Sequence, residues 1–244
     1  NTAIGYYALS ANVASNNVAV GNHALDANTT GSENVSMGAH SMDDNTSGSG
    51  NTAFGPYCLD ANTTGGNNAA FGFHALGACT TGERNTALGR TALQSLTTSI
   101  KNTAVGMDAL NQMVTGDGYN VAVGVAASYT NTTGSYNVSV GASALYANTT
   151  ASGNTAVGYN ALNANTTAAG NTAVGAYALD ANTTGPQNIA IGHTALTANT
   201  TGGYNIAIGR EALAAHTTGN SNIAIGYLAL DASIDGSNNV AVGE

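Results

Sequence analysis

Four Lys plus Arg stand against 13 Asp plus Glu in 244 residues, a formal net charge of -9, and charged residues are only 7% of the chain. No basic patch exists to neutralise phosphates, which excludes nucleic acid and anionic membrane surfaces as partners, and no apolar run is long enough to span a membrane. Hydrophobic residues at 43% recur at fixed phase, which excludes a disordered chain.

From the first residue the chain repeats. Its clearest copy is Asn171 to Gly185, NTAVGAYALDANTTG, and the leading Asn returns at Asn1, Asn17, Asn34, Asn51, Asn68, Asn85, Asn102, Asn120, Asn137, Asn154, Asn171, Asn188, Asn205, Asn222 and Asn239. The period is 17 residues, broken by one unit of 16 and one of 18. A fixed short period over a whole chain predicts a solenoid, so function is sought on the outside of a stack of coils. The chain starts at Asn1 inside the motif and carries Gly243 inside another copy, which predicts a single continuous solenoid over 1–244, uncapped at both ends. Such a body is a segment of a longer fibre or a subunit that stacks end to end.

Within a coil, positions one to five read NTAIG, NVAVG, NTAFG, NTAVG or NIAIG. Position four is always large and apolar, and position two is Thr, Val, Ile or Ala. This alternation predicts a strand with positions two and four on one face. Position three is only Ala or Ser, so that face also meets something close. The expected arrangement is a continuous Val, Ile and Leu core with the Ala file turned to another surface, in a trimer the subunit interface. Position five is Gly in every copy, which implies a positive φ or a close backbone approach at a corner.

Downstream, Ala-Leu recurs at positions eight and nine, as at Ala24-Leu25 and Ala212-Leu213, so this Leu is a second inward anchor. The segment is a second short strand or a single helical turn, and about eight residues between turns favour the strand. An NTTG turn closes the coil, with Thr or Ser at position fourteen in Thr30, Ser47, Thr64, Thr133 and Thr184. Positions sixteen and seventeen vary freely, as in Glu83-Arg84 and Pro186-Gln187, and read as exposed loop. Position twelve is usually Asn, but three successive coils carry Cys79, Leu96 and Met113 instead. Neighbours that change together predict an amide ladder whose members bond along the stack. The expected structural ladder is represented by Asn171, Gly175, Leu179, Asn182, Thr184, Asn188, Gly192 and Leu196.

The strand NTAVG or NIAIG, closest at Asn188 to Gly192, with Ala-Leu downstream, resembles the head repeat of trimeric autotransporter adhesins, the YadA-like heads. The longer NTAIG...AL..NTTG form is similar to repeats of bacteriophage tail fibres and large bacterial surface proteins. That resemblance implies a left-handed parallel β-roll, homotrimeric and used for attachment. It covers the whole chain, and the 17-residue period and NTTG turn depart from the adhesin head. No binding residue transfers.

Several residues invite chemistry. Tyr7, His23, His40, Tyr57 and His74 share position seven in the first five coils and form a candidate surface contact strip. A metal site needs three or four convergent ligands, and this file supplies one ring per coil, so a stacked aromatic ladder is expected and no metal. Asp26, Asp43 and Asp60 share position ten, yet the GGxGxD pattern of calcium-binding β-rolls is missing, so solvated carboxylates are expected. Cys58 and Cys79 fall in different positions of the coil, which predicts no disulfide. NTT triplets match the N-glycosylation acceptor pattern because the turn recurs. No set of unique residues converges from outside the repeat, so neither catalysis nor a cofactor is expected.

The sequence thus predicts an all-β fold, a parallel β-solenoid of about fourteen coils, forming a structural and adhesive extracellular fibre segment on a virion or cell surface. Its partners are other copies of itself, as a homotrimer or end to end, and a cell-surface glycan or protein receptor. The alternatives are an ice-binding β-solenoid that uses the Thr file and a self-assembling matrix filament. Adjacent Thr in a strand point to opposite faces, which weighs against the ice-binding alternative.

Overall fold

The computed structural model describes residues 1–244. Fifteen strands of three residues, all parallel and one per coil, make the chain a β-solenoid with no helix. It divides into two compact units, residues 1–120 and 121–244. The first holds β1 Thr2–Ile4, β2 Val18–Val20, β3 Val35–Met37, β4 Thr52–Phe54, β5 Ala69–Phe71, β6 Thr86–Leu88 and β7 Thr103–Val105. The second holds β8 Val121–Val123, β9 Val138–Val140, β10 Thr155–Val157, β11 Thr172–Val174, β12 Ile189–Ile191, β13 Ile206–Ile208, β14 Ile223–Ile225 and β15 Val240–Val242.

Within each unit every strand pairs with the next coil's strand in identical register, so Ala53 lies beside Ala70 and Ala173 beside Ala190. The period itself sets this register, because one coil returns the chain to the same phase of the pleat. Like side chains therefore stack on like.

The inward and outward faces are the reverse of the expectation. Ala19, Ala53, Ala87, Ala156, Ala173 and Ala207, all at position three, are fully buried against Ala and Leu of positions eight and nine. The Val, Ile, Leu, Met and Phe side chains of position four point outward, with Phe71 38%, Leu88 41% and Ile191 39% exposed. A coil of 17 residues with one short strand leaves little room inside. Leu and two Asn fill it from the other walls, so the strand side can contribute only a Cβ. The Ala file is thus interior to the single chain and is not a subunit interface.

The segment after the strand is neither strand nor helix. It is a run of turns in which positions seven and nine take left-handed backbone in almost every coil, for example Tyr177 at φ 59° and Leu179 at φ 52°. A bulky residue in this region is disfavoured by about 1–2 kcal/mol. Bonds between coils offset that cost. The Tyr177 N–H donates to Tyr159 C=O of the preceding coil at 2.9 Å, and the Leu179 N–H donates to Ala195 C=O of the following coil at 3.0 Å. The N–H groups of positions seven and nine thus point to opposite neighbours, that of position eight bonds within its own coil, as Ala178 to Gly175 at 3.3 Å, and the Leu of position nine turns inward.

Position five confirms both halves of its reading. Gly175 has φ +133°, and a Cβ built there would lie 2.5 Å from the Gly192 carbonyl oxygen. The backbones of successive coils touch at this corner, so no side chain fits.

Two amide ladders complete the interior. At position one each backbone N–H donates to the Asn Oδ1 of the coil before, as Asn188 to Asn171 at 2.8 Å. Where successive coils carry Asn at position twelve, Nδ2 donates to the Oδ1 before it, as Asn182 to Asn165 at 3.1 Å and Asn199 to Asn182 at 2.9 Å. The same Nδ2 atoms also donate to the position-fifteen carbonyl of their own coil. Burying uncharged amides favours such pairing, because an orphan costs about 1–3 kcal/mol, and Asn62 Oδ1, Asn171 Nδ2 and Asn199 Oδ1 are the amide atoms left buried without a partner.

Candidate functional site

Position seven is left-handed at Tyr7, His23, His40, Tyr57 and His74, with φ between 53° and 58°, and that backbone turns each side chain out of the coil. Identical phase then stacks them. Centroid separations along the file are 5.2, 5.1, 5.3 and 4.9 Å, with interplanar angles of 15°, 7°, 3° and 10°. The expected strip of five rings is brought together. Tyr6 stands edge-on to Tyr7 at 4.4 Å, and Phe73 stands edge-on to His74 at 4.3 Å. Neighbouring rings cover each other's faces, so the file presents ring edges, nitrogens and hydroxyls to solvent.

The carboxylates of position ten lie beside this file. His23 Nδ1 is 2.8 Å from Asp26 Oδ2, and His40 Nδ1 is 2.9 Å from Asp43 Oδ2. Ser10 Oγ also donates to Asp26. Partial burial works to raise the Asp26 carboxyl, but the hydrogen bonds from Ser10 and His23 and the nearby imidazole outweigh it and hold the group below its ordinary value.

The next coil breaks the pairing. It carries Tyr57 at position seven, which has no ring nitrogen for Asp60, and the coil after carries His74 with Gly77 in place of Asp. The Asp60 Oδ1 is buried without a hydrogen-bond partner. Burial pushes its carboxyl up, against the opposing attraction of His74.

Sequence reasoning counted position seven and position ten separately and so missed the His-Asp dyads. The legible signal was His-x-x-Asp twice in succession, at His23/Asp26 and His40/Asp43, one period apart.

A second surface is the outer face of the strands. Positions two and four hold only Thr, Val, Ile, Ala, Leu, Met and Phe in all fifteen strands, without a charged side chain. This face was expected to be core.

A third is the threonine file. The hydroxyl at position thirteen donates to the next coil's carbonyl, as Thr63 to Thr80 at 3.1 Å, Thr149 to Thr166 at 3.1 Å and Thr183 to Thr200 at 3.0 Å. Thr184 at position fourteen joins the ladder through its backbone N–H, which donates to Thr200 C=O at 3.2 Å, and is exposed. One rank of threonine is thus committed to the stack and one faces water.

The two cysteines are buried and free. Burial pushes the Cys58 thiol up to about 11 and the Cys79 thiol up to about 12, so both stay protonated at neutral pH and are poor nucleophiles.

No protein-family model matches the chain, and no curated protein matches it.

Proposed function

We propose that the chain is a structural and adhesive segment of an extracellular fibre, of the phage tail-fibre or surface-adhesin kind, and that it works without catalysis or cofactor. The observation that carries this reading is the outer face of the strands: exposed and partly exposed apolar side chains at position four, beside Thr, Val, Ile and Ala at position two, with no charge among them. Soluble monomers rarely leave such a face bare, and its flat, uniform relief suits another copy of the same face. Lateral assembly through positions two and four makes the fibre, with three copies as the expected number. The stack then supplies stiffness, and the aromatic file with the variable positions six, seven, sixteen and seventeen meets a glycan or protein receptor. Many weak contacts on one body raise effective concentration and so give firm attachment.

The ice-binding alternative is less well supported, because position-thirteen hydroxyls are spent on the next coil's carbonyls and a single outward rank offers half the lattice. The matrix-filament alternative differs only in leaving assembly open-ended.

Sedimentation equilibrium tests the reading. The 24.0 kDa chain is expected at ~72 kDa as a closed trimer, and Ile208→Glu on the outer face of β13 is expected to return it to a monomer that keeps its β-sheet circular dichroism. A wild-type chain that sediments at 24.0 kDa would sink lateral assembly, and open-ended polymers would favour the filament.

A further inference from the structure

Two consecutive coils place His23 Nδ1, an Asp26 oxygen and an Asp43 oxygen within 4.8 Å of one another, each side chain partly buried. We propose that this cluster is a divalent transition-metal site, with Zn²⁺ as the ion best matched to its donors. The inference is independent of the adhesive reading.

The donor set argues for the ion. One imidazole nitrogen with two carboxylates is a borderline-soft combination that suits Zn²⁺ and its neighbours, whereas calcium takes six to eight oxygens and would leave the histidine idle. Zinc bonds of about 2.0–2.2 Å in tetrahedral geometry need donor separations of about 3.3–3.5 Å. His23 and Asp26 are closer than this at 2.8 Å, and the widest gap in the cluster is 4.8 Å. Rotation of side chains about their own torsions closes the difference, because all three are on the surface of the stack. Their side chains are 24–30% exposed at His23 and Asp26 and 29% at Asp43, open enough for entry and shielded enough to strengthen attraction.

The ion takes the place of the hydrogen bond between His23 Nδ1 and Asp26 Oδ2: the neutral imidazole carries its one proton on Nε2, Nδ1 offers its lone pair to the ion, and the Asp26 carboxylate turns from hydrogen-bond acceptor to ligand, with no net proton gained or lost. His40, 2.9 Å from Asp43, donates to that carboxylate and holds it in place, the role outer partners play around metal ligands. A water completes the fourth position. The sequence repeats the set one coil on as His40, Asp43 and Asp60, but the donors converge at His23, Asp26 and Asp43, whereas the Asp60 Oδ1 is buried without a partner. Further along, Tyr57 and Gly77 each remove a donor.

Calorimetric titration of the whole chain with Zn²⁺ tests the site. The expected result is one ion per chain. His23→Gln and Asp43→Asn are each expected to weaken binding about tenfold or more, while Asp60→Asn and His193→Gln leave it unchanged. Melting curves of the zinc-free variants check that each still folds, and the two ligand variants stand in for each other should one fail. Absence of binding overturns the proposal. Weak binding of equal strength in wild type, His23→Gln and Asp43→Asn overturns it equally, since that is adventitious uptake by a chain of charge -9.

Discussion

The two units are built from one coil and differ most at position twelve. In residues 121–244 the amide ladder runs unbroken through Asn131, Asn148, Asn165, Asn182 and Asn199 before His216 takes the place. In residues 1–120 it runs through Asn12, Asn28, Asn45 and Asn62 and then gives way to Cys79, Leu96 and Met113, all fully buried. The terminal amide oxygens Asn62 Oδ1 and Asn199 Oδ1 have no partner. A ladder thus has a fixed cost at its end whatever its length. Exchange of several adjacent members for apolar groups leaves one orphan, whereas scattered exchange leaves one at every interruption. That is the physical reason the apolar members come as a block.

The largest expected effect tests what the units share. Gly72→Ala in the first unit and Gly175→Ala in the second both place a Cβ against backbone, 2.7 and 2.5 Å from the next coil, at φ +130° and +133°. Each is expected to lose about 3–5 kcal/mol in chemical denaturation. Markedly unequal losses would show that the corner differs between the units.

Next comes the interior of the ladder. Asn165→Leu removes the acceptor of Asn182 and the donor to Asn148, both buried, and is expected to cost about 2–4 kcal/mol. The corresponding change in the apolar block runs the other way. Leu96→Asn buries an amide between Cys79 and Met113 with no ladder partner, whereas Cys79→Asn gives the orphaned Asn62 oxygen a donor. Cys79→Asn is therefore expected to be the milder of the two by about 1–2 kcal/mol, and the reverse order would remove the account of the block.

The smallest effect concerns pH. The Asp60 carboxyl is raised from 3.8 by burial, so the fold gains from its protonated form. That gain is present at low pH and is lost as pH rises through the folded value, after which a desolvated charge works against folding. Asp60→Asn is expected to raise the melting temperature at neutral pH and to match wild type once the wild-type carboxyl is protonated. Asp26 has the opposite sign: its stabilisation is present above the ordinary carboxylate value and fades as pH falls through its lowered one. Asp26→Asn is expected to lower the melting temperature at neutral pH.

The period, the strand, the glycine corner and the position-twelve ladder were all legible, because each leaves a fixed residue at a fixed phase. Two features were not. Large apolar side chains ordinarily go inside, and Val174 or Ile191 on the outer face defeats that rule because the inner space is taken by Leu and Asn. The restriction of position three to Ala or Ser was the better guide to burial. The left-handed Leu residues were hidden because the sequence marks them by omission. Position nine takes Leu, Met or Ser but never Val, Ile or Thr, the β-branched residues least tolerant of positive φ, although position four takes Val and Ile freely. The dyads of His23 and His40 were hidden by the same turns, which bring positions seven and ten to one side of the coil.

Identical register has a genetic consequence. Each coil meets the next through the same carbonyls, the same Asn and the same glycine corner, so a coil duplicated or deleted within a unit finds matching partners at the new join. Slippage or recombination in a 51-nucleotide repeat changes the number of coils while leaving the chemistry of every remaining contact alone. Coil number is thereby free to drift under selection for reach, while substitutions at the corner are purged.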